Sequence, residues 1–289
     1  MTARPSGAEL SMGRRAPTYA ILTVVSAILL APFVFMISIS LASEQTSRGL
    51  SFSFWPKEFH FENFVKAFTS GLPMGHFVLN STIIVFFSCI GLTLSSAFVA
   101  YGFARLQTPG KNIIFIVVLS TMMIPAEVLL IPQFVLFRHL GWIDTLLPLI
   151  VPNFFANAYN VFLMRQFISR IPKELDEAAT LDGLGHFRVL TRIILPLMKP
   201  VLVAVAIFTF TFNWGYFLGP LIYVNTPEKM PLALGIQSLS ATSNGAQTPP
   251  WNLVMVGAIF LTLPMMIVYH LGQKSLYEGG LVSGSAGLK

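Results

Sequence analysis

Polar residues in this chain stand mostly as isolated positions inside apolar runs. A bilayer core about 30 Å thick takes about 20 residues of helix to cross. The runs Thr18–Leu41, Phe77–Ala104, Ile113–Phe137, Thr145–Ile168, Val201–Val224 and Leu253–Leu271 have that length and character. Backbone polar groups cannot go unpaired in lipid, so each run is predicted as helix. The expected fold class is all-α, a polytopic membrane protein with six transmembrane helices. Pro32, Pro125, Pro132, Pro148, Pro152, Pro220 and Pro264 lie inside these runs. Membrane helices tolerate proline where neighbouring helices satisfy the freed backbone groups.

The segments between the runs give the organisation. Residues 1–17 read as a loose tail, 18–274 as the membrane domain and 275–289 as a second tail. The first run follows Arg14 and Arg15 but exceeds a signal-peptide core, and no small-residue cleavage site follows it cleanly. It is therefore expected to be retained. The stretch 42–76 interleaves aromatics with charge and suits an interfacial cap. The loop 225–251 is rich in Ser, Thr, Asn and Gly, with an apolar centre that predicts a short helix.

Composition agrees with lipid as the solvent. The chain is 54% hydrophobic and 10% charged, with a mean hydropathy of +0.72, whereas soluble domains carry about 25% charged residues. A net charge of +6 could point to nucleic acid, but its distribution favours a topology signal. With the termini and the 2–3 and 4–5 loops on one side, 13 Lys and Arg residues fall there against 5 opposite. The richer side is expected to be cytoplasmic. Cys89 is the single cysteine and the five histidines are scattered without ligand spacing, so no disulfide or metal centre is expected.

One loop is crowded with charge. Residues 174–200 read ELDEAATLDGLGHFRVLTRIILPLMKP. Pro172 suits a helix start, and Glu174, Asp176 and Glu177 suit a first turn. Gly183 and Gly185 should end that helix, with a second starting near His186 and leading through Pro196 and Pro200 into the fifth span. Two readings stand for this bent helix pair. One is a solvated amphipathic connector; the other is a docking knob for a cytoplasmic partner, with alanines at its contact face.

Here the residues resemble a known family. EAATLDG (Glu177, Ala178, Ala179, Gly183), followed by Ile193 or Ile194, Leu195 and Pro196, resembles the EAA loop of type I ABC importer permeases. NSTIIVFF near Asn80, AYGFARLQTPG at 100–110, MIPAEVLLIPQF at 123–134 and GWIDTLLPLIVP at 141–152 are similar to the carbohydrate-type branch, in particular its maltose-permease-like second subunit. The resemblance runs over residues 18–283.

It implies a permease domain over 18–274, with an EAA coupling loop at about residues 172–200, in a bacterial or archaeal cell (inner) membrane, both termini cytoplasmic. It implies a second, non-identical permease, two ATPase subunits and an extracytoplasmic solute-binding protein as partners. The coupling residues would be Glu177, Ala178, Ala179, Asp182, Gly183 and Arg188. The chain has no GxxxxGK[ST] loop, so ATP and Mg are expected in the partner ATPase, with no cofactor held here and no enzymatic activity of its own. The outer loop 225–251 would reach the binding protein through Leu234, Gly235, Gln237 and Ser238. The tail Gln273–Lys289 would insert between the ATPase subunits.

The candidate solute path is read from polar groups within the spans. Asn153, Asn157 and Asn160 are spaced to share one helical stripe, suited either to interhelical bonds or to a sugar. Asn213, Trp214 and Tyr216 offer an amide, an aromatic platform and a phenol, with interfacial anchoring as the other reading. The family commonly has an amide–acid pair and a second tryptophan where this chain has Gly215, Tyr216 and Gly219. Glu127 is expected to bond to the backbone of a broken helix, a proton relay being the other reading. The expected function is a permease subunit for a sugar or sugar-derivative solute, oligosaccharide or glycerol-phosphate-type. The alternatives are an ion-coupled secondary transporter and an integral-membrane glycosyltransferase-type enzyme.

Overall fold

The computed structural model describes residues 12–48, 55, 58–241 and 249–278. The tail residues 1–11 and 279–289, most of 49–57, and 242–248 of the outer loop lie outside the described residues. All regular structure among those described is helical. Helix α1 spans Met12–Ser40, so it begins inside the expected tail. The short helices α2 (Glu44–Arg48) and α3 (Glu62–Thr69) follow. Asn63 of α3 donates to the carbonyls of Ser40 and Ala42, both at 2.9 Å, and so satisfies the end of α1.

Helix α4 (Met74–Arg105) is 32 residues long, about 48 Å at 1.5 Å per residue. It is the central rod. Its inward stripe is small: Ser88, Ser96 and Ala100 are each 0% exposed. Membrane helices approach closely along such stripes, since packing drives their association where lipid supplies no hydrophobic force.

Three of the expected spans are broken. The third is α5 (Lys111–Ser120) with a 3-10 turn at Thr121–Met123, then α6 (Ala126–His139) bent by 98°. Pro125 causes the break. It has no N–H to donate and drives Ile124 to an extended ψ of 116°. The fourth is α7 (Leu147–Ile150), a 3-10 turn Val151–Phe154 holding Pro152, and α8 (Ala158–Ile168). Next come α9 (Glu174–Leu181), α10 (His186–Val189) and α11 (Leu195–Leu197), with a π-helical turn at Leu190–Ile194 between the last two. The fifth span is α12 (Lys199–Trp214), stopped at Gly215, and α13 (Leu218–Tyr223). Helix α14 (Leu232–Ala241) sits in the loop 225–251, and α15 (Trp251–Glu278) is the sixth apolar run, going past residue 274.

Helix α4 packs on α8 and α12, and α15 packs on α12 and α1. One core joins Ala97, Ala100 and Tyr101 of α4 to Val161, Met164 and Ile168 of α8 and to Val189, Ile194 and Val201. A second lies at the other end of α4, where Met74, Phe77 and Val85 meet Trp214, Leu232 and Val256. Among the described residues, four helices are long and apolar enough to cross a membrane, or up to six when each bent pair counts as one span.

Candidate functional site

The crowded loop folds as a knob at the Arg105 end of α4. Helix α9 starts with Glu174, Asp176 and Glu177 in its first turn, where the peptide dipoles favour negative charge. It stops at a left-handed Gly183, φ +80°. The N–H of Leu184 donates to the carbonyl of Ala179 and that of Gly183 to Thr180, each at 3.0 Å. That pair of bonds is the Schellman closure of a helix end, which only glycine enters without cost. The chain then turns into α10.

The continuation bends again at Met198, where the run His186–Leu197 meets α12 at 78°. The π turn ahead of Pro196 absorbs a residue whose helical bond proline cannot supply.

The knob is tied to α4 from within. Arg105 Nε lies 2.5 Å from Asp176 Oδ2, with side chains 5% and 18% exposed. Arg105 Nη2 also donates to the carbonyl of Ile171 at 2.8 Å. Beside this pair a cavity of about 520 Å³ is lined by Tyr101, Lys173, Thr180 and His186.

Of the expected contact residues, Ala179 is 5% exposed and packs into the inner core. Within this chain the helix turns it toward the core that holds Val189 and Leu190. Glu177, Ala178, Asp182, Gly183 and Arg188 are exposed. Two residues that the motif does not single out dominate the outer face. Leu181 is 89% exposed and Phe187 68%, and Phe187 stacks on Phe98 at 6.3 Å. Apolar residues at the tip of an otherwise charged loop were the available signal.

The candidate path residues are not brought together as one stripe. Asn153 lies in the 3-10 turn and donates to Ser88 Oγ at 3.0 Å and to the Leu149 carbonyl at 2.9 Å. Asn157 is extended and caps α8, accepting the N–H of Asn160 at 2.8 Å. Asn160 is 3% exposed. The helical stripe is therefore corrected: Pro152 breaks the periodicity on which it depends.

Asn213 is buried and donates to the Thr209 carbonyl at 2.9 Å. Trp214 is 6% exposed; its Nε1 donates to the Leu261 carbonyl at 2.9 Å and its ring stacks on Phe210. Within this chain both side chains are buried and bonded to backbone carbonyls. Tyr216 is half-buried in the break after α12 and stacks on Phe212 at 5.0 Å. Its ring lies over Gly219, where an added Cβ would meet Tyr216 Cε1 at 2.4 Å. With the Tyr216 ring in this position, a side chain at 219 would require the ring to move.

Glu127 is exposed in the first turn of α6. The expected bond to broken-helix backbone is not formed among the described residues; the N-terminal dipole of α6 favours its charge instead.

At the far end of α4, the outer-loop candidates divide. Gln237 is exposed and Ser238 half-buried, while Leu234 is 4% exposed and Gly235 lies against the Phe77 ring. Leu234 and Gly235 face inward, since α14 turns its apolar side onto α4 and α15.

Residues 93–278 match the family described as binding-protein-dependent transport system inner membrane component. The chain belongs to this family. It is a permease component of an ABC importer, and this decides against the ion-coupled carrier and the glycosyltransferase-type enzyme.

Among similar proteins, the arabinooligosaccharides transport system permease protein AraQ of Bacillus subtilis is 32% identical over 250 residues, covering 86% of this chain and 87% of that one. The sn-glycerol-3-phosphate transport system permease protein UgpE of Yersinia pestis is 34% identical over 207 residues, covering 72% and 73%. A chain in the crystal structure of a bacterial ABC transporter involved in the import of the acidic polysaccharide alginate superposes with a TM-score of 0.78 at 21% identity. It covers 94% of this permease and 99% of that chain. That likeness bears on the fold. The relatives named by identity are transport permeases, and the family is one of the inner membrane.

Proposed function

We propose that this permease is one of a non-identical pair in an ATP-driven importer whose solute is an oligosaccharide or a glycerol-phosphate-type sugar derivative. The solute class is supported by the relatives AraQ and UgpE. The observation that carries the coupling mechanism is the knob. Its inner side is held by the Arg105–Asp176 pair and by the packing of Ala179, while Leu181 stands uncovered at its tip and Phe187, stacked on Phe98, keeps its other side exposed.

An ATPase subunit receives that tip in a cleft, with Glu177, Ala178, Asp182, Gly183 and Arg188 around it. ATP and Mg are held by the pair of ATPase subunits. Their closure displaces the knob, and the buried ion pair passes the displacement to α4, the rod against which α8 and α12 pack. The excess of Lys and Arg on the knob's side, 13 against 5, supports a cytoplasmic placement for it and for both termini. The solute-binding protein then docks on the opposite face, beside α14. The exposed apolar flank of α1, with Ile28 at 66% and Leu29 at 64%, faces lipid and the second permease. Of the path candidates, Asn157 is exposed and Asn153 and Tyr216 keep partial exposure.

The test is to purify the tagged permease from gentle detergent and then reconstitute it. An ATPase and a second permease should co-purify, and labelled solute should accumulate only with ATP inside the bilayer system. Solute movement by the isolated chain in pure liposomes would sink the proposal.

A further inference from the structure

Asp144 lies in the turn between α6 and α7 with φ +60°, the one non-glycine residue with positive φ among the described residues. Aspartate enters this region more readily than most residues, but not without cause. Here its backbone N–H donates to the Tyr223 carbonyl at 2.8 Å. Its Oδ1 accepts the N–H groups of Asn225 at 2.9 Å and Thr226 at 2.8 Å. Its Oδ2 accepts the Thr226 hydroxyl at 2.6 Å and the Lys229 ammonium at 2.8 Å. Lys229 Nζ also donates to the Asp144 carbonyl at 2.8 Å. One residue thus gathers a segment more than 80 positions away in the chain.

The same segment is pinned from α4. Asn80 Nδ2 donates to the carbonyls of Glu228 and Met230 at 2.8 and 3.1 Å, and Ser81 Oγ accepts the N–H of Leu232 at 2.8 Å. Leu232 opens α14, whose Gly235 sits on Phe77. Residues 225–232 are therefore mounted at both ends, and α14 leaves that mount in a set direction.

We propose that Asp144 is a positioning residue: it fixes how α14 is presented to the solute-binding protein and couples α14 to the α6–α7 turn. The inference rests on the reading that a binding protein docks on this face. A bare loop would let α14 yield when the partner lands. Clamped to Asp144, the force of docking reaches α6 and α7, the outer halves of the broken third and fourth spans. The carboxylate is needed because a single residue must accept from two backbone amides, a hydroxyl and an ammonium at once, and no neutral side chain accepts all four.

The test uses the assembled importer in nanodiscs with the solute-loaded binding protein of the same system. Two readouts are taken: hydrogen exchange over residues 225–241 without binding protein, and ATPase rate against binding-protein concentration. Asp144→Gly keeps the backbone conformation accessible and removes the carboxylate. It should speed exchange and raise the half-maximal binding-protein concentration roughly tenfold, as expected for the loss of one or two net hydrogen bonds, with basal ATPase rate unchanged. Asp144→Asn retains the two amide bonds and should fall between it and the wild type.

If Asp144→Gly does not assemble, Thr226→Val with Lys229→Met removes both Oδ2 partners and should give the same direction of shift. Faster exchange with an unshifted titration overturns the positioning role, and unchanged exchange overturns the clamp itself. A wild-type importer that the binding protein fails to stimulate overturns the underlying docking reading, and the inference with it.

Discussion

Arg105 and Asp176 close a 2.5 Å ion pair between the last turn of α4 and the first turn of α9, with the arginine side chain 5% exposed. Removing one partner of a buried pair strands the other charge and costs about 3–5 kcal/mol. Arg105→Ala should therefore lower the thermal stability of the purified permease and uncouple ATP hydrolysis from transport. Arg105→Lys keeps the charge but cannot also reach the Ile171 carbonyl with a planar fork, so it should lie between. A melting temperature equal to wild type for Arg105→Ala would remove the strut from the mechanism.

Leu181 is the most exposed large apolar residue of the knob, at 89%. Burying a leucine on binding contributes about 1.5–3 kcal/mol. Leu181→Glu should sharply reduce recovery of the ATPase with the permease while leaving membrane insertion and melting unchanged. The check is a quantitative co-purification beside the wild type; equal recovery would move the docking face elsewhere.

Gly183 has φ +80° and open space around the position of a Cβ. The cost of substitution is conformational rather than steric, about 1–2 kcal/mol for an ordinary residue. Gly183→Asn should be tolerated and Gly183→Val should not, measured as ATP-dependent uptake at matched expression. Equal loss for both would show that space, not backbone conformation, matters there.

Trp214 donates to the Leu261 carbonyl from a 6% exposed position. Trp214→Phe loses that bond, worth about 1 kcal/mol, and should lower melting by a few degrees with solute preference unchanged. Competition among labelled sugars measures the latter, and an altered order would return Trp214 to the solute path.

Lys229 and then Thr226 hold the Asp144 carboxyl well below the usual carboxylate range. A depressed folded-state pKa gives stability that is present above the unfolded value, about 3.9, and lost as pH falls through the lower folded one. The clamp should therefore be constant between about pH 8 and 5 and open only in stronger acid. Hydrogen exchange at 225–232 across that window tests it; opening near neutrality would contradict the assignment.

The crowded loop was the most legible region because its signals are local. First-turn acids, a glycine stop and a later proline specify helix, turn and bend in sequence order, and α9, Gly183 and α10 follow them. The asparagine stripe was not legible, because its spacing assumes an unbroken helix and Pro152 and Phe155 interrupt it. The inward turn of Ala179, Leu234 and Gly235 also escaped the pattern. A motif marks residue types, but which side of a short helix faces the core depends on the neighbours it meets.

By itself, the sequence determined the solvent, the apolar runs, the charge asymmetry and the helix–turn–helix of the crowded loop, since lipid thickness and backbone hydrogen bonding act on contiguous runs. Only the tertiary structure decided the Arg105–Asp176 strut and the Asp144 clamp. Those depend on groups far apart in the chain meeting within hydrogen-bond distance, and such meetings are set by packing rather than by any local pattern.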